Sequence, residues 1–177
     1  MSATRRLNLG CGNEPLPGYL NVDRRRVPGA AVVADVRALP FAAGSAAEVR
    51  ASSLLEHFED PYAVLDEVHR VLAAGGRFVM RVPALWSYGA LLDRSHVFLA
   101  DAKLWREILS GYFETVRCHP EGVRYRESKL LATLCWAATR GLGLVEYADA
   151  WRFTCERRRD QTTRAYIPWW LEPPAPL

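Results

Sequence analysis

The chain of 177 residues is short of several things that would settle its class at once. It has four cysteines, Cys11, Cys118, Cys135 and Cys155, and none of them forms a C-x-x-C pair. No Cys/His cluster has zinc spacing, so no metal site is expected, and isolated buried thiols in a reducing cytosol are expected rather than disulfides. No apolar run is long enough for a bilayer: the longest, Leu130 to Ala138, falls far below the ~20 residues a spanning helix needs. Net charge is small, +3, and the arginine clusters Arg24 to Arg26 and Arg157 to Arg159 have acids between them, so no nucleic-acid stripe is expected. No G-x-x-x-x-G-K-[ST] loop occurs, which excludes the common nucleotide-phosphate cradle. The first apolar run follows Met1-Ser2-Ala3-Thr4-Arg5 almost at once, which leaves no signal peptide and makes the cytoplasm the expected compartment.

What is present is an alternation of short apolar runs with helical patterns. Half the residues are apolar, enough for one real core at this length. The runs Arg6 to Leu9, Tyr19 to Val22, Ala31 to Ala34, Glu48 to Ala51, Arg77 to Val82, Glu114 to Cys118 and Trp151 to Glu156 read as seven strands. A helix is expected at Pro61 to Leu72: Asp60 can cap it, Pro61 fits its first turn, and Gly75-Gly76 should end it. Its residues Val64, Leu65, Val68, Val71 and Leu72 share one face. Further helices are expected at Ser87 to Leu92, Asp101 to Ser110 and Glu127 to Arg140. The last is apolar around most of its circumference, which suits core burial first and a dimer face or lid second. Strands alternating with helices predict an α/β fold with a mostly parallel sheet. Residues 1–165 would form the domain, and 166–177 a proline- and tryptophan-rich tail.

The opening carries the chemistry. In Leu7-Asn8-Leu9-Gly10-Cys11-Gly12-Asn13 a strand runs into a glycine turn, and the next two strands end near Asp23 and Asp35. Parallel α/β sheets hold ligands at the carboxyl ends of their strands. Glycine there lets a ligand approach the backbone with no Cβ in the way. Asp23 can accept both hydroxyls of a ribose, and Asp35 an adenine amino group beside the Val36 N–H. The third glycine of a dinucleotide fingerprint is absent, Pro15 standing nearby, which argues against a pyrophosphate cofactor. S-adenosylmethionine (SAM), with a ribose, an adenine and a short zwitterionic tail, fits what is left.

Four further motifs follow in order: Asp35-Val36-Arg37-Ala38-Leu39-Pro40-Phe41, Ser53-Leu54-Leu55-Glu56-His57-Phe58, Leu65-Asp66-Glu67-Val68-His69-Arg70-Val71-Leu72 and Gly75-Gly76-Arg77-Phe78. Together with the opening they resemble the small class I SAM-dependent methyltransferases, over roughly Arg6 to Phe113. The resemblance implies a Rossmann-like sheet of seven strands in the order 3-2-1-4-5-7-6, strand seven antiparallel, with helices on both faces. It places Leu9, Gly10, Cys11, Gly12 and Asn13 beside the methionine part of SAM, Asp23 on the ribose, and Asp35 and Val36 on the adenine. Ser53, Leu54 and His57 would border the methionine end and the sulfonium. The chain also departs from the pattern. Asn13 to Gly18 is too short for the usual first crossover helix, no N-terminal helix roofs the pocket, and the aspartate often found before strand four is missing from Ser45-Ala46-Ala47-Glu48.

Methyl transfer needs an aligned nucleophile and dry surroundings, because the sulfonium supplies its own driving force. A base is needed only for a poor nucleophile such as a hydroxyl, and histidine suits neutral pH. His57, His96 and Asp93 are therefore the candidate catalytic residues; Trp86, Tyr88, Arg94 and His96 are the candidate substrate wall. The trio Asp93, His96 and His57 offers too few ligands for a metal. His69 is expected on the surface and His119 in a loop. No N-P-P-[YFW] string follows strand four, which disfavours amino methylation of bases. The expected activity is methylation of a small molecule at oxygen or nitrogen. A SAM-binding subunit that needs a partner protein is the alternative, and a homodimer is compatible with either.

Overall fold

The computed structural model describes residues 5–85, 87–122, 134 and 148–164. Its strands are β1 (Arg5–Leu9), β2 (Leu20–Asp23), β3 (Val32–Val33), β4 (Ala46–Ser52), β5 (Leu72–Pro83), β6 (Phe113–Glu121) and β7 (Ala150–Arg158). They form one seven-stranded sheet in the order β3-β2-β1-β4-β5-β7-β6. Neighbours from β3 to β5 are parallel, and β7 runs antiparallel to both β5 and β6. Order and direction match the expectation.

Register divides the sheet into two unlike faces. Leu7 pairs with Val49 and Leu9 with Ala51, and these pair onward with Phe78 and Met80. All six are buried, in one cluster with Val64, Leu65, Val68 and Val71 of helix α1 (Pro61–Val71) and Trp105, Ile108 and Leu109 of helix α3 (Ala102–Ser110). Burying each such side chain contributes about 1.5–3 kcal/mol, so this face holds the fold together. The alternate residues, Arg6, Asn8, Glu48, Arg50 and Arg77, point to the other face. There the short first connection folds down in place of a helix: Asn21 accepts from Leu16 N–H at 2.8 Å and donates to Leu16 O at 3.2 Å. Of the helix expected at Glu127 to Arg140, only 134 is described; it is helical, and Leu134 is exposed. The remainder of that helix and the tail 166–177 lie outside the described residues.

Helix α1 starts as expected, with Asp60 accepting from Tyr62 N–H at 2.9 Å. It stops earlier than Gly75-Gly76. Leu72 is already extended, and Arg158 donates to the carbonyls of His69 and Leu72 at 2.6 and 3.2 Å. A distant guanidinium thus satisfies the end of the helix that a glycine cap would otherwise serve. The glycines fall instead inside β5, in the register shift between Ala46 and Glu48 on β4. The polar side of α1 is also used: Glu67 accepts from Leu39 N–H, and Arg70 bonds Glu67 and the carbonyls of Leu39 and Phe41. That pair pins the loop after β3. His119 lies within β6, opposite Arg152, rather than in a loop, because the antiparallel pairing with β7 runs on to Glu121. No described helix is long and apolar enough to cross a membrane.

Candidate active site

The glycine turn after β1 is tied to the end of β2. Gly10 and Gly12 take φ of +65° and +49°, which L side chains rarely adopt. Gly12 N–H donates to Asp23 Oδ2 at 2.9 Å, and Arg25 N–H to Asp23 Oδ1 at 2.8 Å. Asp23 is buried. Burial alone would raise its carboxyl, but the N–H groups of Arg25 and Gly12 and the Arg25 guanidinium outweigh that and hold it below the ordinary value. Leu9 and Cys11 are buried beneath the turn, and Asn13 is exposed on it. Burial, then the nearby Asp23 charge, pushes the Cys11 thiol up, so it is a packed neutral group.

Asp35 stands differently from the expectation. β3 ends at Val33, two positions earlier, and Asp35 is half-exposed and gripped by Arg37 through Nε at 3.0 Å and Nη2 at 2.7 Å. That bidentate bond, with the Arg37 N–H, lowers its carboxyl to about 2. Val36 is buried beside it.

Past β4 the chain makes a tight bend. Ser53 has φ of +48°, unusual for a residue with a side chain, and its N–H donates to Arg81 O at 2.9 Å. Leu54 packs on the glycine turn: a Cβ on Gly10 would lie 2.6 Å from Leu54 Cδ1. A 3-10 turn, Leu55–His57, follows. Its Glu56 is 1% exposed, and among the described residues neither carboxylate oxygen has a hydrogen-bond partner. Burial pushes that carboxyl above the ordinary range.

Beyond β5, Ser87 caps helix α2 (Tyr88–Leu92) through a bond from Ala90 N–H, and the turn after it delivers Asp93, Arg94, Ser95 and His96. His96 is brought against His57, ring centroids 4.9 Å apart, and its Nε2 lies 3.9 Å from Glu56 Oε1 and 3.6 Å from Asp93 Oδ2. Asp93 accepts from Ser95 N–H and Oγ–H, and these bonds lower its carboxyl. Ser53, His57, Arg81, Pro83, Ser87, Asp93, His96 and Asp149 line one cavity of about 490 Å³.

The structure therefore brings together His57, His96, Asp93 and Ser53, and sets Leu54 between them and the glycine turn. Arg94 is exposed next to the cavity without lining it. Trp86 and the Tyr88 side chain lie outside the described residues. Sequence reasoning missed Glu56, Arg81, Ser87 and Asp149. Glu56 sat inside a quoted motif; a carboxylate amid Leu54, Leu55 and Phe58 was the available signal. Asp149 had none, since it arrives from the far side of the sheet with β7.

Residues 4–80 match the family description "Methyltransferase domain". No curated protein matches the chain in sequence. Among solved structures, a SAM-dependent methyltransferase from Archaeoglobus fulgidus is similar with a TM-score of 0.65 at 16% identity, over 88% of this chain and 87% of that one. A SAM-dependent methyltransferase, possible histamine N-methyltransferase, from Thermotoga maritima gives 0.63 at 13% identity, over 86% and 82%. Phosphoethanolamine N-methyltransferase 2 of Haemonchus contortus, in complex with SAM, gives 0.58 at 13%, over 90% of this chain and 50% of that one. These likenesses show the fold. Residues 4–80, less than half of the chain, match the methyltransferase-domain model, so the chain carries a methyltransferase-like amino-terminal region within a fold similar to that of SAM-dependent methyltransferases.

Proposed function

We propose that this enzyme moves the methyl group of SAM to an oxygen or nitrogen of a small molecule held in the cavity between His57 and His96. The observation that carries the reading is the continuity of the site. Leu54 touches the glycine turn, Ser53 lines the cavity one residue before it, and His57 lines it three residues after. In this reading Leu9 to Asn13, Asp23, Asp35 and Val36 hold SAM, with Asp23 exchanging its N–H partners for the ribose hydroxyls and Asp35 turning from Arg37 to the adenine. A cavity of about 490 Å³ suits a metabolite-sized acceptor.

Both imidazoles are preset. Each Nδ1 faces a backbone carbonyl, Ser95 O for His57 and Ala90 O for His96, both at 3.1 Å. A carbonyl only accepts, so each Nδ1 carries the hydrogen and each Nε2 keeps its lone pair. Such an Nε2 can take the proton of an acceptor hydroxyl or amine as the methyl arrives. The supporting residues act by orientation: Asp93 holds Ser95, and Ser95 holds His57. Cytoplasmic action, alone or as a homodimer, belongs to the same proposal.

The test is a labelled-SAM screen against hydroxylated, amino and sugar acceptors, paired with calorimetry of SAM and its demethylated product. Binding of both nucleosides with transfer to one acceptor class supports the reading. Binding without turnover, relieved only by adding a partner protein, would replace it with the subunit alternative. No binding at all would remove it.

A further inference from the structure

We infer that Glu56, His57 and His96 form a binding site for a divalent transition-metal cation, the two histidines lining the cavity and Glu56 buried behind them. One ligand atom from each of the three lies within 4.8 Å of the others. The two histidines offer lone pairs at Nε2, because the Ser95 and Ala90 carbonyls take the Nδ1 hydrogens. Ser95 Oγ confirms the assignment for His57: its hydrogen goes to Asp93 Oδ1 at 2.5 Å, so toward the His57 Nδ1, 3.1 Å away, it can only accept. A backbone carbonyl or carboxylate behind the far ring nitrogen is the usual support of a metal-bound imidazole.

Glu56 supplies the independent observation. Its side chain is 2% exposed, both oxygens lack a hydrogen-bond partner among the described residues, and one of them faces His96 Nε2. A buried carboxylate without donors is costly, and native structures keep one only where something else satisfies it. The nearby cations do not: Arg81 is spent on Glu121 and Ser53, and His96 Nε2 stands too far off, at 3.9 Å, for a hydrogen bond. A cation bound at about 2.0–2.2 Å from each atom, with tetrahedral ligands about 3.4 Å apart, would draw the Glu56–His96 pair in by about half an ångström and the widest pair by up to about 1.4 Å, and would satisfy the carboxylate. Asp93 Oδ2, 3.6 Å from His96 Nε2, is near enough to complete the shell, leaving a position open to the cavity. Two imidazoles and a carboxylate suit zinc, iron or manganese better than magnesium or calcium.

The consequence for substrate choice rests on the methyl-transfer reading. A cation there would use both Nε2 lone pairs, so in the metal-bound form the cation, in place of the imidazoles, would activate the acceptor: it would attract and acidify a hydroxyl and repel an ammonium, and the acceptor class would be oxygen compounds.

The experiment is a calorimetric titration of chelator-stripped full-length protein with zinc and with manganese chloride, with SAM titrated separately into the same samples. One-to-one saturation, weakened by ~100-fold or more in both Glu56→Gln and His96→Ala, supports the site, provided each variant keeps its thermal midpoint and SAM affinity. No saturable binding, or binding the variants leave unchanged, overturns it. His57→Ala, whose side chain is the most exposed of the three, serves as a third variant if Glu56→Gln fails to fold. Metal binding that survives while SAM binding fails keeps this site and removes the methyl-transfer reading instead.

Discussion

Two buried glutamates flank the same strand and live in opposite surroundings. Glu48, near the start of β4, is 6% exposed and accepts from Tyr19 Oη at 2.5 Å, Arg50 Nε at 2.7 Å and Arg77 Nη2 at 2.5 Å. Arg6 and Arg50 also stack over the Tyr19 ring, at 4.7 and 5.3 Å. Glu56, just past the other end, is equally buried and accepts nothing. Burial raises both carboxyls, but at Glu48 the bonds from Tyr19, Arg77 and Arg50 overcome it and lower the group to about 2, whereas at Glu56 burial prevails. The first cluster is complete in itself and closes the sheet face that lacks its crossover helix. The second is incomplete and opens on a cavity. A satisfied polar cluster stabilises; an unsatisfied one is kept for something that binds.

The comparison breaks most easily at His96. His96→Ala should cut turnover of the true acceptor by ~100-fold or more, since a lost base costs that much. SAM affinity should stay as it is, and the stability change should be about 1 kcal/mol, the worth of one hydrogen bond to Ala90 O. Steady-state rates beside SAM calorimetry decide this. An unchanged rate would remove His96 from the chemistry.

Glu48→Ala should show the reverse pattern. It strands Arg50 and Arg77, whose side chains are 41% and 48% exposed, so solvent softens the loss to about 2–3 kcal/mol of unfolding free energy. SAM affinity should not move. Glu56→Gln, which removes a buried carboxyl that accepts no hydrogen bond from the described residues, should leave the metal-free protein as stable or more so. Urea unfolding of both variants measures the contrast.

The same two residues should bend the pH–stability curve in opposite directions. The folded pKa of Glu48, about 2, lies below the ordinary ~4.3, so its contribution is full above ~4.3 and lost as pH falls through about 2. The folded pKa of Glu56 is raised, so its contribution is full below ~4.3 and lost as pH climbs through the raised value. Glu48→Gln should flatten the acid limb and Glu56→Gln the opposite one. Added zinc should restore what the wild type loses on the rising side, because a bound cation favours the ionised carboxylate.

The sequence made one of these clusters visible only in part and the other not at all. The strand positions and the Asp60 cap were legible because each depends on local pattern, and the strand order was legible through the family resemblance; the Gly12 to Asp23 bond was not read, though both residues were placed at the ends of neighbouring strands. The pairing of His57 with His96 could be guessed from their places after β4 and β5. The unsatisfied state of Glu56 could not, since it is set by what fails to arrive from distant segments. The Glu48 cluster joins Tyr19, Arg50 and Arg77 across three strands through register alone. The early end of α1 was hidden for the same reason: its cap, Arg158, comes from β7. Asp35 falls two residues beyond the end of β3 rather than at it, because β3 is only two residues long, and its pairing with Arg37 was not legible in the sequence.

The smallest expected effect tests whether the glycine turn serves the cavity as well as the cofactor. Gly12 has open space where a Cβ would go, so Gly12→Ala should cost only the backbone strain of a positive φ, about 1 kcal/mol. Gly10 carries a similar φ, but its Cβ would strike Leu54 at 2.6 Å. Leu54 begins the turn that carries Glu56 and His57, so Gly10→Ala should displace both. It should therefore weaken zinc binding and slow turnover at saturating SAM, while Gly12→Ala, which puts a methyl group into the space proposed for the cofactor, weakens SAM binding and leaves zinc binding as it is. Equal behaviour of the two variants in the zinc titration would mean that the turn and the histidine pair are mechanically separate.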